Sequence, residues 1–271
     1  MNDLSILMVG CGNMGSALLK GWSQAGLFKQ CDILLTSMRP APVRAENIHV
    51  FDKINDLKTG YDIVFFCVKP QVMTRIATDY AEIVKGSEIV VSILAGTPLA
   101  FFEGHYGSAQ PCVRMMPNTP VAVGQGVCGI VANDATNKAS KKTIDKFTNA
   151  TGFGVWLDSE ADINTVTALS GSGPAYVFYM MEAMSSAAQN LGLTKNQADI
   201  IARQTVIGAG ALANAEGDTT ASQLRTNVTS PKGTTEAGLD ILMRDENGLK
   251  SLMQETISAA AKRAQELAKA T

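Results

Sequence analysis

The residues best placed to do chemistry are the glycines of Gly10-Cys11-Gly12-Asn13-Met14-Gly15. They follow the apolar run Ile6-Leu7-Met8-Val9 and lead into a helical pattern from Ser16 to Ala25. In a strand, turn, helix setting the G-x-G-x-x-G spacing gives each glycine its own task. The first permits the tight turn, the second lets backbone approach a pyrophosphate, and the third lets helix and strand pack. The helix start then offers unpaired N–H groups to phosphate oxygens. The turn therefore reads as a nicotinamide dinucleotide site.

The end of the second strand decides between the two nicotinamide cofactors. A site built for NADH places an acid there to bond the ribose 2′-OH. This chain has Thr36-Ser37-Met38-Arg39, with no acid between Asp32 and Glu46. Arg39 and Arg44 suit a 2′-phosphate through charge-assisted hydrogen bonds, so NADPH is expected ahead of NADH. Cys67-Val68-Lys69-Pro70-Gln71 closes another apolar strand at the sheet edge where such folds bind ligands. Lys69 is either a pocket residue or a loop lysine before a proline-started helix. Ala95-Gly96-Thr97-Pro98 reads as a further turn toward the cofactor.

The second half is notable for what it lacks. Reducing a ketone requires a group that protonates or stabilises an alkoxide, usually His, Tyr or Lys. The two histidines, His49 and His105, both precede that half, and no lysine follows Ser170-Gly171-Ser172-Gly173-Pro174 until Lys195. This disfavours a hydroxyacid dehydrogenase. An imine nitrogen can be protonated in solution, so its site need only position it. Two hydroxyl-rich loops suit that task, Ser170 to Pro174 and Val228-Thr229-Ser230-Pro231-Lys232-Gly233-Thr234-Thr235, and both enter helices able to hold a carboxylate. Ordinary helix capping is the other reading of each loop. A non-catalytic NADP-binding sensor is the alternative of a different class.

These residues must be held by elements, and the pattern supplies them. The chain has 271 residues and 46% hydrophobic content, enough for a substantial core. Short β-rich runs at Ser5 to Gly10, Cys31 to Thr36, Asp62 to Val68, Glu88 to Leu94 and Cys112 to Met115 alternate with helical patterns. Runs at Gly124 to Val131 and Gly152 to Leu157 flank a helix over Thr136 to Asn149. The expectation is an α/β, Rossmann-type, doubly wound sheet over residues 1–160, followed by an all-α domain over 161–271. In the helical half, Thr194 to Gln197 has capping-box spacing, and Ala175 to Ala188 reads as a buried helix. Small residues between Gly173 and Glu216 suit close helix packing and a dimer.

The formal net charge of −2 gives no excess of cations for nucleic acid. No apolar run reaches the ~20 residues of a membrane span. The five cysteines lack a C-x-x-C pair and the start lacks a secretory leader, so a reduced, cytoplasmic protein is expected. None of the thiols sits beside a histidine or a basic cluster, which argues against a nucleophile.

Val113-Arg114-Met115-Met116-Pro117-Asn118-Thr119-Pro120, Ala168-Leu169-Ser170-Gly171-Ser172-Gly173-Pro174-Ala175 and the Val228 to Thr235 loop resemble the pyrroline-5-carboxylate reductase family. With the glycine turn and Val68 to Gln71, the motifs fall in family order across nearly the whole chain. The resemblance implies reduction of 1-pyrroline-5-carboxylate to L-proline by hydride transfer to the ring C=N carbon. It also implies a homodimer interlocked through the helical domain, with dimers in some members assembling into a ring.

By position, the resemblance makes Thr235 the catalytic residue, hydrogen-bonded near the substrate's ring nitrogen. Gly233 and Thr234 would present N–H groups to the carboxylate, Ser172 and Gly173 would shape the substrate pocket, and Asp218 stands where many members have glutamate. Val9, Gly10, Cys11, Gly12, Asn13, Met14, Ser37, Asn55, Val68, Lys69, Pro70, Ala95, Gly96 and Asn227 would contact the dinucleotide. The chain departs from the family pattern at Lys232, where glycine is usual; this is either a benign surface variant or an added charge near the carboxylate.

Overall fold

Ile6, Met8, Ile33, Phe65 and Val91 face one side of a sheet, and Leu7, Val9, Leu34, Val64 and Phe66 face the other; all are buried. Strands buried on both faces are the mark of a sheet covered by helices on each side. The computed structural model describes residues 3–35 and 45–269. Strands β1 (Ser5–Val9), β2 (Gln30–Leu34), β3 (Ile48–Phe51), β4 (Ile63–Phe66), β5 (Ile89–Ser92), β6 (Cys112–Pro117), β7 (Gly126–Ala132) and β8 (Gly152–Trp156) lie in the order β3-β2-β1-β4-β5-β6-β7-β8. The first six strands follow the 3-2-1-4-5-6 order, which reverses between β1 and β4 and opens a crevice at their carboxyl ends.

Helices α1 (Asn13–Gln24), α2 (Pro70–Ile76), α3 (Ala81–Val84), α4 (Leu99–Tyr106) and α5 (Lys138–Asn149) cover the faces. On one side Trp22 of α1 packs 4.6 Å from the Phe65 ring and donates its indole N–H to Phe147 O of α5 at 2.8 Å. On the other, Phe66 packs against Tyr80, Phe102 and Tyr106.

Two details depart from the sequence reading. The edge strand β3 is not among the expected strands: only Ile48 is buried while His49 and Val50 are exposed, so no apolar run marks it. The β6–β7 pair is antiparallel, whereas the alternation suggested a parallel sheet throughout. The link 118–125 is shorter than the dozen or more residues a parallel crossover requires. The longer link through α5 returns β8 parallel to β7.

Helical structure begins at α6 (Asp162–Val166) and passes through a π-turn (Thr167–Gly171) into α7 (Gly173–Asn190), α8 (Lys195–Ala215), α9 (Ala221–Asn227), α10 (Thr234–Leu242) and α11 (Leu249–Lys269). The chain divides into two compact units; the first runs to Ser172 and includes the chain from Ala260 onward, and the second is Gly173–Ala259. The capping box at the start of α8 is present, with Gln197 N donating to Thr194 Oγ1 at 3.4 Å and Thr194 N donating to Gln197 Oε1 at 3.1 Å.

The expectation that Ala175 to Ala188 forms a buried helix is corrected: the helix is there, but its Val177, Phe178, Tyr179, Met180 and Met184 are exposed and Ser185 is the side chain it buries. In the second unit α7 packs chiefly on α8, which covers one side of it. Hydropathy records that a surface must be covered, not which chain covers it. Among the described residues no helix is long and apolar enough to cross a membrane.

Candidate functional site

The glycine turn fills the β1 to α1 connection at the crevice. Gly10 has φ +80°, a left-handed conformation, and a Cβ there would lie 2.6 Å from Val68 Cγ1. Its amide donates to Leu34 O at 2.9 Å, joining the turn to β2. A Cβ on Gly15 would stand 3.3 Å from Cys67 Cβ, so this position sets the approach of α1 to the end of β4. Gly12 differs from both: a Cβ there would meet nothing within 4 Å. Its lack of a side chain leaves the backbone open from outside, as the motif expects of its second glycine. As N-cap of α1 it contributes no side-chain acceptor, so the first-turn amides stay open to an anion. The turn thus fits a dinucleotide pyrophosphate on the geometry of its own backbone.

Burial raises the Cys11 thiol, partly offset by a hydrogen bond with Ser16, and burial pushes the Cys31 and Cys67 thiols well above their ordinary range. Burial likewise holds Cys112 and Cys128 up at about 12, so all five cysteines stay protonated near neutrality and none is an activated nucleophile.

Val68, Lys69 and Pro70 follow β4, next to β1 in the sheet; Lys69 is the exposed N-cap of α2, with Pro70 at the first helical position. Ala95 and Gly96 follow β5, the next strand along, and Gly96 is left-handed at φ +78°. Val9 is buried at the end of β1, Cys11 and Met14 are half-buried, Asn13 is exposed, and Asn55 is exposed on a short 3-10 turn (Ile54–Asp56) after β3. The glycine turn and the turns after β4 and β5 therefore share the carboxyl edge of three adjacent strands. Ser37, Arg39 and Arg44 lie outside the described residues.

Ser172 and Gly173, both half-buried, stand where the π-turn passes into α7, and a Cβ on Gly173 would meet nothing within 4 Å. Asn118 holds this turn from behind. Its Nδ2 donates to Ser170 O at 3.1 Å while its Oδ1 accepts from Val127 N at 2.8 Å. In the sequence Asn118 lies within the Val113 to Pro120 motif with no expected role; its one signal there is an amide between two strand-like runs, able to donate and accept at once.

In the second unit, Gly233 is the N-cap of α10, with no side-chain cap, and Thr234 and Thr235 are its exposed first residues. A Cβ on Gly233 would fall 2.9 Å from Ser230 O, so the loop requires glycine there. The Gly233 amide itself donates to Ser230 O at 3.0 Å. Of the two amides expected to meet a carboxylate, Thr234's is the open one. The Thr235 hydroxyl makes no hydrogen bond to the described residues. Asn227 ends α9 with its Oδ1 accepting from Gln223 Nε2 at 2.8 Å, and Asp218 is exposed on the turn between α8 and α9.

Lys232, just before this cap, is left-handed at φ +59°, and its amide donates to Glu236 Oε2 at 2.6 Å. A side chain in that conformation costs roughly 1–2 kcal/mol, of which glycine's extra unfolded-state freedom would return about half. Lys232→Gly is expected to raise stability by up to about 1 kcal/mol, read from a urea unfolding midpoint, with the substrate Michaelis constant unchanged. A raised constant would instead give the ammonium group a part in substrate binding.

Residues 160–267 match the family model for pyrroline-5-carboxylate reductase dimerisation, and residues 5–96 match the model for coenzyme F420-dependent NADP oxidoreductases. The pyrroline-5-carboxylate reductase of Pseudomonas aeruginosa is 35% identical, over 99% of this chain and 98% of that protein. The Pisum sativum enzyme of the same name is 30% identical over 96% and 94%. Among solved structures, the reductase from Coxiella burnetii superposes with a TM-score of 0.89 at 32% identity, covering 98% of this chain and 99% of that one. The Plasmodium falciparum pyrroline carboxylate reductase, solved with NADP bound, gives a TM-score of 0.82 at 27% identity and 99% coverage of each. With the glycine turn, the Asn118-braced π-turn and the uncapped start of α10 all in place, the chain belongs to the pyrroline-5-carboxylate reductase family.

Proposed function

We propose that the protein reduces 1-pyrroline-5-carboxylate to L-proline, the last step of proline synthesis, with NADPH as the preferred cofactor. The observation that carries this reading is the pair of uncapped helix starts: α1 behind the glycine turn for a pyrophosphate, and α10 behind Gly233 for a carboxylate. When bound, the reduced nicotinamide supplies a hydride to the ring C=N carbon. The imine nitrogen takes its proton from solution and leaves as a secondary amine, so the products are proline and the oxidised cofactor. This chain's part is to hold the ring: the Thr234 amide at the carboxylate, the Thr235 hydroxyl near the nitrogen, Ser172 and Gly173 along the pocket wall. Loss of NADPH absorbance on adding 1-pyrroline-5-carboxylate tests the reading, and no loss with folded protein overturns it.

Preference for NADPH rests on the missing acid after β2 and on Arg39. Arg39→Ala is expected to raise the Michaelis constant for NADPH about tenfold, the scale of one charge-assisted hydrogen bond, while leaving that for NADH unchanged. An NADH preference in the unaltered enzyme would overturn the assignment.

The functional boundary is placed near residue 160, with nucleotide binding before it and substrate binding and dimerisation after it. The exposed Phe178, Tyr179, Ile200, Ile201 and Ile207 of α7 and α8 support a homodimer formed through this helical part, open to assembly into a ring of dimers. Five free thiols support a cytoplasmic location.

A further inference from the structure

Arg114 lies in the middle of β6 with its side chain 6% exposed, a buried cation in a strand whose other residues are apolar. Among the described residues one acid pairs with it: Glu160, whose Oε1 accepts from Arg114 Nη1 at 2.8 Å. The same oxygen accepts from Leu99 N at 2.8 Å. Leu99 is the first residue of α4, and its N-cap, Pro98, has no side-chain acceptor to offer. Glu160 therefore caps a helix 61 residues away in sequence while neutralising an arginine 46 residues away. The segment capped is the short turn from Ala95 to Pro98, joining the end of β5 to α4 beside a cleft of about 280 Å³ lined in part by Gly96, Pro98, Arg114, Glu160 and Asn164.

We propose that Glu160 is a positioning residue for the dinucleotide site: it clamps the Ala95 to Pro98 turn between α4 and β6, fixing the part of the crevice that meets the nicotinamide half of the cofactor. The proposal rests on the dinucleotide reading above. In this strand order β1 to β3 form one mononucleotide-binding half and β4 to β6 the other. The glycine turn and the end of β2 belong to the first half; the clamped turn belongs to the second. Left-handed Gly96 gives this turn freedom that a capped helix start removes. Without Glu160, the α4 start loses its acceptor and Arg114 keeps a buried charge with no counter-ion, so both anchors of the turn weaken together.

The test titrates NADPH and adenosine 2′,5′-bisphosphate, which lacks the nicotinamide half, into the unaltered protein, Glu160→Ala and Glu160→Gln, with folding checked by circular dichroism. Glu160→Ala is expected to weaken NADPH about tenfold, the equivalent of about 1.4 kcal/mol, and to leave the adenosine compound unchanged. Glu160→Gln keeps an oxygen for the Leu99 amide, and is expected to weaken NADPH about threefold with the adenosine compound again unchanged. If the alanine variant does not fold, the glutamine variant decides by the same comparison. Folded variants that bind NADPH as tightly as the unaltered protein, or that lose both ligands alike, overturn the clamp. Failure of both variants to fold assigns Glu160 to stability alone and also overturns it. Unaltered protein that binds neither ligand removes the dinucleotide reading and the clamp with it.

Discussion

Gly12→Asp is expected to weaken NADPH binding at least a hundredfold while leaving the protein as stable as before or slightly more so. The two effects separate because of what surrounds this glycine. Its φ of −76° lies in a region any residue adopts, and a Cβ there meets nothing within 4 Å, so the folded chain accepts a side chain without strain. Aspartate is also a good N-cap, and at the head of α1 it would accept from amides that have no side-chain acceptor now; relative to glycine the gain is a few tenths of a kcal/mol. On the proposed reading those amides receive the pyrophosphate. A carboxylate in their midst occupies the donors, fills the approach and adds a like charge, worth on the order of 4 kcal/mol against a phosphate at contact distance. Isothermal titration with NADPH beside a thermal melt checks both halves. Retained affinity would remove the glycine turn as the pyrophosphate site, and a large loss of stability would show that the position serves packing, as Gly10 and Gly15 do.

The same contrast among the three glycines shows what was legible in the sequence. Their spacing after Ile6 to Val9 identified the turn, and the structure assigns different surroundings to each: Val68 for Gly10, Cys67 for Gly15, and open space for Gly12. The capping box at Thr194 was equally readable, because both halves of it are local and three residues apart. What escaped was non-local. Arg114 announces itself as a charge among Cys112, Val113, Met115 and Met116, but nothing in the sequence points to Glu160 as its partner. The Gly233 amide looked free for a substrate because its bond to Ser230 depends on the way the loop folds back. The direction of β7 followed from a loop length, not a hydropathy pattern, and β3 was hidden because an edge strand with one buried residue has no period to detect. In α7 the apolar pattern marks a helix, yet most of its large apolar side chains are exposed in this chain, since periodicity carries no information on what packs against a face.

Thr235→Val is expected to lower kcat about a hundredfold, the loss typical of removing one hydrogen-bonding group aimed at a reacting centre, with the affinity for NADPH unchanged. The substitution keeps the β-branched shape and removes one hydroxyl. Because that hydroxyl is exposed and bonds to none of the described residues, stability should change by less than ~0.5 kcal/mol. Thr235→Ser restores the hydroxyl and is expected to recover kcat to within a few-fold, which separates loss of the hydrogen bond from loss of packing. Stopped-flow hydride transfer at saturating NADPH, with cofactor affinity measured alongside, provides the readout. An unchanged kcat in Thr235→Val would mean the ring nitrogen is held elsewhere. On the proposed reading the proton arrives with the imine and Thr235 orients the ring, while the adjacent Glu236 accepts from the Lys232 amide. Where orientation rests on a few neutral hydrogen bonds, deleting one leaves the ring free to turn away from the hydride.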